Sequence, residues 1–369
     1  MNSVPVTPPV TEYLYRKATA AGTPLSGTFE LTPQCNMHCK MCYVHAAPTS
    51  PLATAAQWLE LGEKARDAGM LYLLLTGGEP LMYPDFRSVM EGLHKLGLVI
   101  TLNSNGTLID ENVISWLKNC PPVRVNISLY GASDETYEKL CGNPKGYTQV
   151  TKAIDLLQKA GISVKLNCSL TPYNAADLPE MVRFAQKKGL FLQVAAYMFP
   201  PVRRDSALVG QNDRFTPEEA AYYMAYGDYL TLGAEKFLEK AAPAYPEDSC
   251  AAPDGIRCRA GKCSFWVTWQ GQMTPCGMFP VAGSPNVFET AFADGWAQVR
   301  AYAASIRLPE KCAGCSVKDD CHACGAMVIT ESGCFDKVPQ YRCDMMHAYP
   351  AQYSRVKEKI LWERQNTKS

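Results

Sequence analysis

From residue 27 to about residue 200, short apolar runs alternate with amphipathic stretches of roughly ten to fifteen residues. An apolar run bounded by turn residues reads as a buried strand, and a 3.6-residue apolar period reads as a helix packed along one face. The pattern predicts strands at 27–31, 71–76, 98–103, 123–129, 162–170 and 190–196. It predicts helices at 53–68, 85–96, 110–118, 147–160 and 177–188, four of them stopped by Gly69, Gly97, Gly161 and Gly189. Six repeated βα units imply an α/β fold, a curved parallel sheet or partial (β/α) barrel. Reactive groups then belong on the loops that follow the strands.

The rhythm breaks at 198–215, where Pro200 and Pro201 interrupt it, and a helical stretch follows from Pro217 to about Lys240. The Pro-rich joint "APAYPEDSCAAPDG" comes next, and ten of the sixteen cysteines lie from Cys250 onward. The expected organisation is an N-terminal extension (1–26), a barrel (27–215), a helical linker (216–249), a Cys-rich lobe (250–349) and a C-terminal helix (350–369).

Composition narrows the chemistry. The 369 residues carry 36 basic and 36 acidic side chains, so bulk charge favours neither a nucleic acid nor an anionic membrane. The first 22 residues lack the apolar core of a signal peptide, and no uncharged apolar run approaches membrane-spanning length, which points to the cytoplasm. Sixteen cysteines in a reducing compartment suit metal better than disulfides.

The loop after the first strand reads "TPQCNMHCKMCYVH" and sets Cys35, Cys39 and Cys42 three and then two residues apart. Three thiolates complete neither a tetrahedral zinc site nor all four irons of a cubane, so one corner stays open. His38 and His45 read as bystanders, Met37 and Met41 as packing residues. Cys120 and Cys168 read as ordinary buried thiols.

This Cys-x3-Cys-x2-Cys-Tyr pattern resembles the signature of the radical S-adenosylmethionine (SAM) enzymes, whose fold is a partial (β/α)6 barrel. Companion stretches occur in order: Thr76-Gly77-Gly78-Glu79-Pro80 after the second strand, "NSNGT" after the third and "NISLYG" after the fourth. The resemblance implies a [4Fe–4S] cluster on Cys35, Cys39 and Cys42, with SAM chelating its open iron and yielding a 5′-deoxyadenosyl radical. It implies that Gly77 and Gly78 let the backbone approach SAM's methionine end and that Glu79 accepts from its amino group. Asn105 and Ser128 match further SAM-facing positions, and Tyr43 lends its backbone to the adenine. Where many members have an arginine, this chain has Cys141, in "KLCGNPKGY". Lys165 or Asn167 then become candidates for SAM's carboxylate, and Cys141 a candidate hydrogen-atom donor to a substrate radical.

The tail resembles the SPASM extension of peptide-modifying radical SAM enzymes, which holds two auxiliary [4Fe–4S] clusters. Carried over by position, the first would take Cys258, Cys263, Cys276 and Cys324. The second would take Cys312, Cys315, Cys321 and Cys343, with Cys334 competing for the last place. Cys250 is left spare. The alternating Phe265, Val267 and Trp269 before Gln270-Gly271 predict a hairpin that brings Cys258 and Cys276 together. Cys312, Cys315, Cys321 and Cys324 alone would also suit a zinc ribbon.

The resemblance implies oxidative modification of a peptide or protein side chain, such as a thioether or C–C crosslink, fed by a flavodoxin- or ferredoxin-type electron donor. Sulfatase-maturating relatives carry an aspartate after the cysteine equivalent to Cys276, where this chain has Gly277, which weakens the formylglycine reaction. Only some twenty-five residues precede the first strand, so leader recognition would fall to a separate protein or to the barrel. Peptide epimerisation and a non-catalytic zinc or electron-carrier protein are the other readings.

Overall fold

The structure is a computed structural model that describes residues 9–44, 52–202, 213–239 and 255–366. His45 and Cys250 lie outside the described residues.

The six expected strands form, each within two residues of the expected ends: β1 (Ser26–Glu30), β2 (Tyr72–Thr76), β3 (Val99–Ser104), β4 (Arg124–Ser128), β5 (Val164–Ser169) and β6 (Leu192–Ala195). Their apolar residues point to the helical side. Leu73, Leu75, Ile100, Leu102, Val125, Ile127 and Leu166 are buried under α2 (Ala55–Asp67), α3 (Phe86–Lys95), α4 (Glu111–Leu117), α6 (Gly146–Lys159) and α7 (Leu178–Lys187) in one core. The four helix-stopping glycines adopt φ between 67° and 110°, left-handed backbone that other residues reach only at a cost.

Several helices escaped the periodicity, these three among them. α1 (Pro9–Ala21) precedes the sheet, α5 (Asp134–Cys141) sits between β4 and α6, and α10 (Phe292–Ser305) lies in the tail. α5 is a local product of its caps: the Ser133 hydroxyl accepts from Thr136 N at 3.1 Å, and Gly142 turns left-handed at the other end.

All six strands are parallel, and the sheet continues past β1 into β7 (Ser264–Val267) and β8 (Met273–Thr274), in the order β6-β5-β4-β3-β2-β1-β7-β8. β7 pairs with β1 in parallel and with β8 antiparallel, so the expected hairpin exists and is built into the same sheet. The fold is an α/β radical SAM-type partial barrel, open between β6 and β8. α8 (Pro217–Leu232), begun by a capping box on Thr216 and Glu219, and α9 (Ala234–Glu239) follow the barrel. After α10 come α11 (Glu310–Ala313), α12 (Lys318–Cys321), α13 (Gly325–Ser332) and α14 (Gln340–Asn366). α14 begins ten residues before the expected boundary at 350 and packs along α8, with Tyr353 and Tyr341 donating to Phe237 O and Phe215 O at 2.7 and 2.8 Å. A buried ion pair fastens this region to the barrel. Arg214 meets Glu331 of α13 at 2.5 and 3.1 Å, and the Tyr197 hydroxyl donates to the same carboxylate at 2.8 Å.

Candidate active site

The three-cysteine loop is gripped from two sides by backbone. Gly78 N donates to Thr32 O and Glu79 N to Gln34 O, both at 2.7 Å. A Cβ on Gly77 would lie 2.6 Å from Thr32 O, and one on Gly78 would lie 2.3 Å from Gln34 O. Both positions need glycine, but the missing side-chain volume is taken by the cysteine loop itself rather than left to a ligand. On the other side the loop docks on the end of α5, where His38 N donates to Cys141 O at 2.8 Å and Lys40 N to Leu140 O at 3.0 Å. Met37 and Met41 are buried in the core beneath, as are Cys120 and Cys168 elsewhere in it.

Glu79 is fully buried. Its carboxylate accepts from Ser104 Oγ at 2.9 Å, Asn105 N at 2.7 Å and Leu81 N at 3.2 Å. Burial pushes its carboxyl up to about 7, against the pull of those three donors. Asn105 reaches back to the loop: its Nδ2 donates to Asn36 Oδ1 at 2.8 Å and to Cys35 Sγ at 3.6 Å, and its Oδ1 accepts from Thr107. Asn36 Nδ2 closes the ring on Thr107 Oγ1 at 2.8 Å. The ends of β2 and β3 thus hold Cys35 in place through a network that ends on its sulfur.

The thiols themselves are strongly disfavoured as bare anions. Burial pushes Cys35 up to about 12, with Glu79, Cys39 and Cys42 adding to it. The Cys39 thiol is raised well above its ordinary value by its hydrogen bond to Cys141 and by burial. Metal coordination reverses this, since a coordinating thiol is deprotonated outright. The thiols feel one another, yet among the described residues no three His, Cys, Asp or Glu side chains are gathered tightly enough for a single metal ion.

The other expected residues are placed as follows. Cys141 is fully buried, and its thiol is hydrogen-bonded with Cys39 rather than facing open space. Tyr43 O accepts from Val202 N at 3.4 Å. Ser128 and Asn167 stand opposite each other where β4 and β5 end, with Lys165 one rung below, hydrogen-bonded to Gln193. Tyr130, the second residue after β4, was not singled out from the sequence. Its hydroxyl reaches the Ser128 and Ser169 side chains, and burial together with the nearby Cys39 and Cys141 raises its phenol. Asn36 and Thr107 were missed too, because their partners lie some seventy residues away along the chain.

In the tail, Cys312, Cys315, Cys321 and Cys343 line one cavity, and Cys334 is not among its lining residues. His347, one helical turn after Cys343, lines it as well, with Nε2 3.6 Å from Cys315 Sγ. The open end of the β7–β8 hairpin carries Cys263 and Cys276. Cys276 and Cys324 pack on the same small cluster around Ile256 and Phe279, and Cys258 lies near enough to raise the Cys324 thiol. Cys263 is fully buried against α1, where Thr19 Oγ1 donates to its sulfur at 3.2 Å.

Residues 29–185, which carry the three-cysteine loop and the Glu79 network, match the Radical SAM superfamily model. Over that stretch the chain is similar to the Radical SAM superfamily. Over 331 residues the chain is 25% identical to the AdoMet-dependent heme synthase of Methanosarcina barkeri, covering 83% of this chain and 92% of that one. It is 26% identical over 273 residues to the subtilosin biosynthesis protein AlbA of Bacillus subtilis, covering 73% of this chain and 58% of AlbA. Streptococcus suis SuiB bound to S-adenosylmethionine superposes with a TM-score of 0.66 at 20% identity, over 92% of this chain and 83% of SuiB. SuiB has also been solved with its precursor peptide SuiA, and at this identity the likeness is one of fold. Among the described residues no helix is long and apolar enough to cross a membrane.

Proposed function

We propose that this chain is a Radical SAM enzyme, that it abstracts hydrogen from a peptide or protein side chain and that the modification is oxidative. The observation that carries the chemistry is the loop at the end of β1 that bears Cys35, Cys39 and Cys42, half-buried thiols of which Cys35 is held by Asn105, itself bonded to the buried Glu79. Cys35, Cys39 and Cys42 would hold a [4Fe–4S] cluster. Such a cluster, when bound with SAM and reduced, supplies a 5′-deoxyadenosyl radical. Glu79 would take SAM's ammonium, and because burial leaves its carboxyl near neutral pH, a cation beside it favours the charged form.

Cys258, Cys263, Cys276 and Cys324, and separately Cys312, Cys315, Cys321 and Cys343, would hold two auxiliary clusters that accept an electron from the oxidised substrate. A flavodoxin- or ferredoxin-type donor would supply the reducing electron.

AlbA and the SuiB–SuiA complex support a peptide substrate. A tetrapyrrole substrate is a second reading, supported by the length of the heme synthase match. Sulfatase maturation is disfavoured by packing as well as by sequence: a Cβ on Gly277 would lie 2.7 Å from the Trp266 ring, so an acidic side chain there would have to displace the indole.

The test is iron, sulfide and zinc analysis of protein prepared without oxygen, with SAM and dithionite added afterwards. About twelve irons per chain are expected, falling to about eight in a Cys35/Cys39/Cys42→Ala triple variant. Only the wild type should release 5′-deoxyadenosine, faster with a synthetic peptide pool. One or two zincs and no 5′-deoxyadenosine overturns the proposal; acceleration by an iron porphyrin alone favours the second reading.

A further inference from the structure

The inner face of the sheet, opposite the helices, is polar. Along β3, β4, β5 and β6 it presents Asn103, Asn126, Arg124, Lys165, Asn167 and Gln193, the residues that alternate with the buried core positions. A side-chain ladder crosses it. Arg124 Nε donates to Asn126 Oδ1 at 2.9 Å, Asn126 Nδ2 donates to Asn103 Oδ1 at 2.7 Å, and Lys165 Nζ donates to Gln193 Oε1.

Two cations therefore stand on adjacent strands with only neutral carboxamides as hydrogen-bond partners. Among the described residues neither forms a salt bridge, and the acidic residue this face does carry, Glu30, is on β1, three strands from β4. The arrangement is costly. Burial and the nearby Arg124 both lower the affinity of Lys165 for its proton. Beside it the Asn167 side-chain oxygen is buried with no hydrogen-bond partner. Half-buried like charges with no acid beside them suit an anion, while the unmet Asn167 oxygen, an acceptor, calls for a donor next to that anion.

We infer that Arg124 and Lys165 form a carboxylate-binding site on the inner wall of the barrel, for an acidic group carried by the substrate. Arginine's planar fork suits a carboxylate, and with Nε turned to Asn126 its terminal nitrogens supply that fork. Asn167, one rung nearer the cysteine loop than Lys165, would meet the group's polar neighbour. The site lies below the strand ends that carry the thiols, so a substrate anchored there by its acid presents the atoms beyond it to the reaction. The inference rests on the proposed function in taking the inner wall as the substrate's place. It adds that a peptide substrate carries Asp, Glu or a terminal carboxylate near the modified residue.

The experiment is calorimetric titration of full-length, cluster-loaded protein with glutarate, and with neutral glutaramide as control. Saturable glutarate binding is expected, weakened at least tenfold in Arg124→Gln and in Lys165→Met, kept in Lys165→Arg, and absent for glutaramide. Unchanged affinity in both charge-removing variants overturns the inference. Loss of glutarate binding at saturating SAM also overturns it, because the pair would then belong to SAM's own carboxylate. Melting curves identify any variant that fails to fold, and Lys165→Gln then replaces Lys165→Met. Glutarate binding needs no turnover, so it can hold with a non-peptide acid as substrate and can fail while the peptide reading stands.

Discussion

The two groups of thiols near the ends of this chain rest on different supports. Cys35, Cys39 and Cys42 sit on the loop after β1, and that loop is fixed by backbone bonds to Gly78, Glu79, Leu140 and Cys141 and by Asn105, just past the end of β3. Cys312, Cys315 and Cys321 ride on or beside two helices of four residues each, too short to hold their shape alone. Around Cys321, Arg342 reaches across from α14 to its carbonyl, with Nε at 3.1 Å. The first group is organised by the sheet itself. The second rests on a few clamps that tie it to the rest, and on whatever metal the proposed cluster sites would hold.

The largest effect is expected at the clamp between the regions. Glu331 is almost wholly buried and Arg214 nearly so, and removing one partner strands the other's charge. Glu331→Ala should cost roughly 3–5 kcal/mol in urea denaturation, with lost amide protection concentrated in α13 and α14. If protection falls equally in β1 to β4, the two regions are one cooperative unit and the comparison fails.

The next effect sits in the first region and is read by pH. The Glu79 carboxyl, ordinarily at 4.5, is pushed up to about 7 by burial, so between those values the folded protein holds a proton that the unfolded chain releases. This contribution to stability is complete below about 4.5, declines as pH rises, and is lost above about 7, by up to roughly 3 kcal/mol. Urea midpoints of metal-free protein across this range should show the decline, and Glu79→Gln should flatten it.

Anaerobic removal of iron with a chelator tests the comparison directly. Hydrogen exchange should quicken about a hundredfold around Cys312 to Cys321 and change little in β1 to β4. Equal quickening at both sites would show that the cysteine loop is not preformed. Gly78→Ala gives the smallest effect, about 1–3 kcal/mol in the same denaturation assay, because its Cβ meets backbone at Gln34 that can shift only with the loop. Its sharper signature is lost iron at the first site with the tail's iron retained.

The barrel was legible in the sequence because each strand is a contiguous apolar run and each helix carries a long apolar period. α5 was hidden by its length: eight residues give barely two turns of pattern, although Ser133, Asp134, Glu135 and Gly142 had already written its caps. The need for glycine at 77 and 78 could be read, but not its cause, since the oxygens of Thr32 and Gln34 come from a loop some forty-five residues earlier. Spacing favoured Cys343 over Cys334 only for its longer separation from the other cysteines. The early start of α14 at Gln340 puts Cys343 on a helix that faces the cavity. Of the inner wall only Lys165 and Asn167 stood out in the sequence; Arg124 and its neighbours did not, because one polar residue on every second position reads as an ordinary solvated face until the strands are placed side by side.

β1 lies between β2 and β7, so among the described strands the first in chain order is completed by one of the last. While residues 26 to 195 emerge, β1 to β6 can pair in order, but one edge of β1 stays bare until Ser264 to Val267 arrive. During synthesis the nascent chain therefore exposes a strand edge to its neighbours on the same message, and a chain truncated before residue 264 would expose it permanently.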